Sequence, residues 1–179
     1  MEMYEDLNKW SEDPTRIDMV TDPRKKRFVG IATHGNVKFD VPFMSELADN
    51  LWQGGCEDGL VLPDHIDHLV SLYPWESYTV NHTLKSSTSV RMYDSTKQGF
   101  DQVKDIAKWV IANRKSGPVF VHCQAGLNRS SLIAATVLML DDKMSGEQAV
   151  EAIRSNRSEA CLCNPAFLQW ITQEHVHAD

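Results

Sequence analysis

The stretch from Pro118 to Leu140 constrains this chain more than any other. Pro118-Val119-Phe120-Val121-His122 is a continuous apolar run, too short for a helix, and such runs read as strands buried on both faces. The chain then turns through Cys123-Gln124-Ala125-Gly126-Leu127-Asn128-Arg129. Beyond it, Leu132, Ile133, Val137, Leu138 and Leu140 place a largely buried helix over Ser130–Leu140. A buried strand that passes through a short loop into a helix belongs to an α/β domain.

That loop has the chemistry of an anion site. A helix N-terminus exposes backbone N–H groups and the positive end of the helix dipole, so a loop curling over it can surround a phosphate or sulfate with donors. Gly126 lets the backbone approach the anion without a Cβ in the way. Arg129 offers a planar fork to two phosphate oxygens, a geometry that lysine lacks. A cysteine at the base of such a loop is held toward its thiolate by the dipole, the N–H donors and the guanidinium, and the thiolate is the nucleophilic form. Cys123 is therefore the expected nucleophile, and the alternative of an inert strand-end thiol ignores what surrounds it. Ser130, next to the arginine, is placed to donate to the sulfur.

The rest of the chain extends the α/β pattern. Asn50–Gly55 reads as a strand entering a glycine turn, Pro63–Leu72 as a short helix with proline in its first turn, and Ser77–Leu84 as a strand alternating through Tyr78, Val80 and His82. Gln98–Lys115 is the clearest amphipathic helix, with Phe100, Val103, Ile106, Ala107, Val110 and Ile111 at helical spacing and Gly117 as a stop. Two more helices follow, Glu147–Arg154 behind Ser145 and Pro165 to about Glu174 behind Asn164, both with favourable N-cap residues. Near the start, Phe28–Ile31 and Val37–Phe39 flank the turn Thr33-His34-Gly35-Asn36 and predict a hairpin. The fold expected is a central mixed, twisted sheet flanked by helices.

At 179 residues the chain has material for one core. A net charge of -7 argues against binding dominated by nucleic acid or an anionic membrane. No run approaches the roughly 20 apolar residues of a membrane span, and the acidic start lacks a secretory pattern. A cytoplasmic protein with reduced thiols is the expectation. Cys161 and Cys163 form only a C-x-C pair, without further closely spaced ligands for zinc, so no metal or cofactor is expected. The basic run Arg24-Lys25-Lys26-Arg27 reads as a solvated face near Asp18 and Asp22, with an anion-docking patch as the alternative.

His122-Cys123-x5-Arg129-Ser130 resembles the H-C-x5-R-S/T signature of the protein tyrosine phosphatase superfamily, and the segment lengths are most similar to its small dual-specificity members. The resemblance runs from about Leu51-Trp52-Gln53-Gly54-Gly55 to Asn164-Pro165-Ala166-Phe167-Leu168. It implies a catalytic domain over 41–179 behind an N-terminal extension, 1–40. It implies that Cys123 takes the phosphoryl group, that Arg129 and the loop residues Gln124, Ala125, Gly126, Leu127 and Asn128 bind it, and that water releases it with help from Ser130. His122 is implied to support the loop and tune the thiolate.

An alkoxide or phenolate leaving group needs a proton from a different segment. In relatives this comes from an aspartate some 30 residues before the cysteine, and Asp94 stands 29 positions before Cys123. A helix-capping carboxylate is the plain alternative for Asp94. Asp101 and Asp105 are rivals that fall within the amphipathic helix. Tyr93 is placed to line the mouth of the site and stack on a phenyl ring. Arg154 and Arg157 are expected in ion pairs, although in the family an arginine there can meet a second phosphate or brace the loop. Asn164 aligns with a family asparagine that steadies the acid's loop.

The resemblance implies a phosphorylated protein or peptide as substrate, bearing phosphotyrosine, phosphoserine or phosphothreonine, and a phosphate or sulfate anion as ligand of the loop. RNA 5′-phosphatase activity is the alternative, suggested by Asn128 before the loop arginine. A silent phosphate-binding scaffold is a further one, against which the cysteine, arginine and acid all stand.

Overall fold

The computed structural model describes residues 15–20, 29–34, 37–42, 44–173 and 175–177. Among the described residues, eight strands and four helices follow one another as β1 (Thr15–Val20), β2 (Val29–His34), β3 (Val37–Pro42), β4 (Met44–Ala48), β5 (Leu51–Gly54), β6 (His68–Ser71), β7 (Ser86–Ser89), α1 (Phe100–Arg114), β8 (Val119–His122), α2 (Arg129–Leu140), α3 (Gly146–Asn156) and α4 (Pro165–Thr172). A short 3-10 helix, His175–His177, ends the described chain. Strands β1, β2 and β3 form an antiparallel sheet of their own. The expected hairpin is the β2–β3 pair, and β1 adds a strand that the sequence had not suggested. The run Arg24–Arg27 lies outside the described residues.

The central sheet has the order β4-β5-β8-β6-β7. Its inner pairs are parallel, and β4 closes one edge antiparallel to β5. The sheet is mixed and helices flank it, as expected. All four residues of β8 are buried, because successive side chains point to opposite faces and both faces are covered. Val119 and Val121 join the core made with the helices. Phe120 joins a second cluster with Cys56, Leu60, Leu62, Ile66 and Tyr78, supplied by the segment between β5 and β7.

Helix α2 is the centre of the helical layer. Its residues from Arg129 to Met139 are buried, the mark of a helix surrounded by protein rather than lying on a surface. In α1, Val103, Ile106, Ala107 and Val110 face the core at helical spacing, and Phe100 stacks on Trp170 of α4 with ring centroids 4.5 Å apart. The two predicted caps are present: Ser145 and Gln148 form a reciprocal capping box on α3, and Asn164 caps α4 ahead of Pro165.

Two expectations fail. Pro63–Leu72 is not a helix: after a turn, its second half becomes β6, and Ile66, His68, Val70 and Leu72 are buried at every second residue. The apolar spacing suits either period over so short a run. What decides is β8, whose free edge is filled by pairing with β6. Ser77–Leu84 is not a strand either, apart from a bridge between Val61 and Thr79. The strand in this region is β7, Ser86-Ser87-Thr88-Ser89, a polar edge with no apolar alternation to reveal it.

Candidate active site

The loop from Cys123 to Asn128 is built by turning its carbonyls outward. The Gln124 carbonyl accepts from the Cys56 N–H at 2.9 Å, and the Leu127 carbonyl from the Leu162 N–H at 2.8 Å. The Ala125 carbonyl accepts from Arg157 Nη2 at 3.3 Å. The Gly126 carbonyl accepts from Arg157 Nε at 2.6 Å and Gln53 Nε2 at 3.1 Å. No peptide here is cis, and a planar trans peptide points its N–H opposite to its carbonyl. Four outward carbonyls therefore turn the N–H groups of Ala125, Gly126, Leu127 and Asn128 inward. The Gly126 N–H meets Cys123 Sγ at 3.2 Å, which fixes the sense of the whole turn.

Gly126 is irreplaceable on two counts. Its φ is +69°, and a Cβ would lie 2.4 Å from both the Gly54 carbonyl carbon and Arg157 Nη2. Side chains of Gln124, Ala125, Leu127 and Asn128 are buried, so whatever these residues give to an anion comes from their backbone.

Cys123 and Ser130 lie together, with 3.4 Å between Sγ and Oγ. The helix that begins here takes no side-chain hydrogen bond from its own N-cap residue, Asn128, so the first N–H groups of α2 stay directed at the loop. Arg129 is buried with its guanidinium 5.2 Å from the Tyr73 ring. His122 reaches the Cys123 carbonyl through Nδ1 at 3.1 Å. A carbonyl only accepts, so Nδ1 carries the proton. Burial pushes the imidazole down to about 4, and His122 is a neutral brace that brings no positive charge to the sulfur. Burial raises the Cys56, Cys161 and Cys163 thiols, foremost among their causes, which keeps those three protonated and poorly nucleophilic. All four cysteines are free of disulfides.

Asp94 is drawn to this loop by two asparagines. Asn128 Nδ2 donates to Asp94 Oδ2 at 3.0 Å, and Asn164 Nδ2 donates to Oδ1 at 2.8 Å. Asn128 also accepts the Asn164 backbone N–H at 2.8 Å, so the three side chains form one unit. Asn164 performs its capping role at the same time, since its Oδ1 accepts from the Ala166 N–H at 3.0 Å. Asp101 and Asp105 lie exposed on α1.

Arg157 is buried, and the partners described for it are loop carbonyls together with Ser45 Oγ at 3.4 Å. It braces the loop, the family role given above, and the ion pair with nearby acids that was expected is not among its described partners. Arg154 likewise donates to a carbonyl, that of Cys161, at 3.1 Å. Tyr78, whose hydroxyl is kept protonated by burial, donates to the Gly55 carbonyl beside the loop.

The sequence reading placed Tyr93 at the mouth but missed the rest of an aromatic rim. Tyr73, which meets Arg129, packs on Trp75 with centroids 4.9 Å apart. Arg91 lies 4.9 Å from the ring of Trp75 and 4.9 Å from that of Tyr93. These contacts form an arc from Arg129 to the neighbour of Asp94. Trp75 is 54% exposed and Tyr93 36%. Tyr-Pro-Trp in a segment otherwise read as a loop was the available signal. Gln53 was missed as well; it stood in the sequence only as part of a strand. Among the described residues, no helix is long and apolar enough to cross a membrane, and no group of three or more potential ligands could hold a metal.

The chain matches the family model described as dual specificity phosphatase, catalytic domain, over residues 64–176, more than half its length. It is 33% identical over 86 residues to MAP kinase phosphatase with leucine-rich repeats protein 3 of Dictyostelium discoideum, a match covering 48% of this chain and 10% of that protein. It is 29% identical over 101 residues to dual specificity protein phosphatase 1 of Mus musculus, covering 56% of this chain and 24% of the relative. The chain thus spans between a tenth and a quarter of the length of these curated relatives. Among solved structures, human DUSP28 superposes with a TM-score of 0.63 at 17% identity, covering 75% of this chain and 95% of that one. With the loop, its cysteine and its arginine in place, the chain belongs to the dual specificity phosphatase catalytic domain family, within the protein tyrosine phosphatase superfamily.

Proposed function

We propose that this phosphatase hydrolyses phosphotyrosine and phosphoserine or phosphothreonine in proteins through a phosphocysteine intermediate. The observation that carries the reading is the inward turn of four consecutive N–H groups around Cys123 Sγ, produced by the bonded outward carbonyls of Gln124, Ala125, Gly126 and Leu127. Such a cradle matches the oxygens of a phosphoryl group. Arg129 supplies the charged fork. In the first step the Cys123 sulfur attacks phosphorus, the P–O bond to the leaving group breaks, and Asp94 gives that oxygen its proton. In the second, a water attacks phosphorus and passes its proton to the Asp94 carboxylate. The S–P bond breaks with its electron pair returning to sulfur.

The aromatic arc supports a substrate whose organic group passes Tyr73, Trp75, Arg91 and Tyr93 on its way to the loop. A phenyl ring stacks on such a surface, and a peptide carrying an alkyl phosphate can pass the same exposed rim. The RNA reading rested on Asn128. That residue's amide is engaged with Asp94 and the Asn164 backbone, and its side chain is buried, so it reads no substrate group in this geometry. A cytoplasmic setting agrees with four free thiols. We take 41–179 as the catalytic domain and 1–40 as an extension.

A panel of phosphotyrosine, phosphoserine and phosphothreonine peptides, 5′-triphosphorylated RNA and a phosphoinositide tests the reading, with Cys123→Ser as control. Turnover of the peptides that is lost in Cys123→Ser is expected. Peptides left untouched while RNA is hydrolysed would sink the protein-phosphatase reading, and an active Cys123→Ser would sink the intermediate.

A further inference from the structure

Gln53 lies in β5 opposite Val121 of β8, its side chain fully buried beneath the loop and the first turn of α2. Its Nε2 is 3.1 Å from the Gly126 carbonyl, 3.1 Å from Ser130 Oγ and 2.6 Å from Ser131 Oγ. Its own carbonyl, Oε1, is buried with no hydrogen-bond partner among the described residues. The Gly126 carbonyl can only accept, so the end of the amide that faces it is the NH2, and this settles which way the side chain is turned. An apolar side chain of similar length would occupy the same space without burying an orphaned carbonyl, which is unfavourable. Stability is therefore a poor reason for an amide at this position. Its N–H groups are what it brings.

One of those contacts bears on the chemistry. Ser130 Oγ is 3.4 Å from Cys123 Sγ, and a hydroxyl has a single proton together with lone pairs that accept. The amide has two N–H hydrogens for these three acceptors, so with one on the Gly126 carbonyl the other is shared by the Ser131 and Ser130 oxygens. When it donates to Ser130, the proton of that hydroxyl is free to turn to the sulfur. We propose that Gln53 is a positioning residue that directs the Ser130 O–H at Cys123 Sγ, where it stabilises the departing thiolate. This rests on the phosphocysteine reading. As water bonds to phosphorus and the S–P electron pair moves to sulfur, negative charge grows at the atom that the oriented O–H faces. The effect belongs to the second step, since in the first step charge leaves the sulfur.

The test is a double-mutant cycle on p-nitrophenyl phosphate, with Gln53→Leu, Ser130→Ala and the pair measured by steady-state and rapid-mixing kinetics. A single oriented neutral hydrogen bond corresponds to about a fivefold change in rate. Gln53→Leu is expected to lower kcat by about fivefold without raising KM. A burst of p-nitrophenol should appear as breakdown of the intermediate becomes slow. In the Ser130→Ala background the same substitution should change kcat less than twofold. An equal fivefold loss in the Ser130→Ala background overturns the proposal, as does a loss in the first turnover rather than the second step. Gln53→Met repeats the cycle if the leucine variant does not fold. Cys123→Ser separates the two layers: if it stays active the intermediate falls and this proposal with it, whereas an additive cycle beside an inactive Cys123→Ser removes the proposal alone.

Discussion

Asn164 performs two tasks with one amide, and replacing it by serine separates them. Its Oδ1 caps α4 through the Ala166 N–H at 3.0 Å, while its Nδ2 holds Asp94 Oδ1 at 2.8 Å. Serine caps a helix about as well as asparagine, but it carries no amide to reach Asp94. Asp94 is 5% exposed, and taking one donor away from a buried carboxylate costs about 2 kcal/mol. Asn164→Ser is therefore expected to lower unfolding free energy by about 2 kcal/mol, and Asn164→Ala by about 3 kcal/mol, the extra coming from the lost cap. In an Asp94→Ala background the serine variant should cost less than about 0.5 kcal/mol and the alanine variant about 1 kcal/mol. Urea unfolding of the six proteins measures this directly. Serine costing the same in both backgrounds would mean that Asn164 packs rather than holds, and the reading of Asp94 as a positioned acid would lose its support. Turnover adds a second reading. With the Asn164 donor gone, hydrolysis of an alkyl phosphate should fall by a part of the roughly 10²–10⁴ that a general acid contributes, while p-nitrophenyl phosphate, whose leaving group needs little help, should be nearly unaffected.

Two further outcomes follow from the loop. Because the folded imidazole of His122 is pushed from 6.5 to about 4, the unfolded chain takes up a proton first as pH falls. Stability from this group is intact above about pH 6.5 and is lost on the way down to about 4, amounting to about 2 kcal/mol by pH 5. Urea midpoints at pH 7.5 and pH 5.0 should show the parent losing that much more than His122→Gln; parallel losses would mean the imidazole is not buried in its neutral form. Gly126→Ala should cost at least about 1–2 kcal/mol from the left-handed backbone alone, and should abolish inhibition by inorganic phosphate because the Gly54 carbonyl blocks the Cβ. Inhibition by phosphate at parental concentrations would show that the loop closes without this glycine.

What was legible in the sequence is what local chemistry dictates. The buried run before Cys123, the apolar stripe of α1, and the caps Ser145 and Asn164 each carry their own signal, and the structure forms an element at each. Strand β7 carries none, because a polar edge strand is defined by pairing with β6 and not by its side chains. Pro63–Leu72 failed for the converse reason: its pattern fits two periods, and only the edge of β8 chooses between them. At the site, Cys123, Arg129 and Ser130 stand in one motif and were readable together. Gln53 and Arg157 reach the same carbonyl, Gly126, from 73 and 31 positions away, and no local pattern records such a meeting. Arg157 misled for a physical reason. A guanidinium is most often expected opposite a carboxylate, yet two carbonyls turned the same way offer a fork-shaped donor an equally good seat.

In the proposed mechanism, the position of Asn128 joins the acid, Asp94, and the anion loop into one body. By its place before α2 it is the N-cap, where an asparagine would ordinarily satisfy the first N–H groups of the helix. Its side chain does not do so. It turns instead to Asp94 and to the Asn164 backbone, and both consequences favour catalysis. The helix N-terminus keeps its donors for negative charge, since no carbonyl of its own competes for them. The acid is fastened to the residue next to Arg129, so the distance between the oxygen-binding fork and the proton donor is set within a few bonds rather than across the domain. A loop carrying Asp94 without that fastening would have to find the leaving oxygen afresh in each turnover.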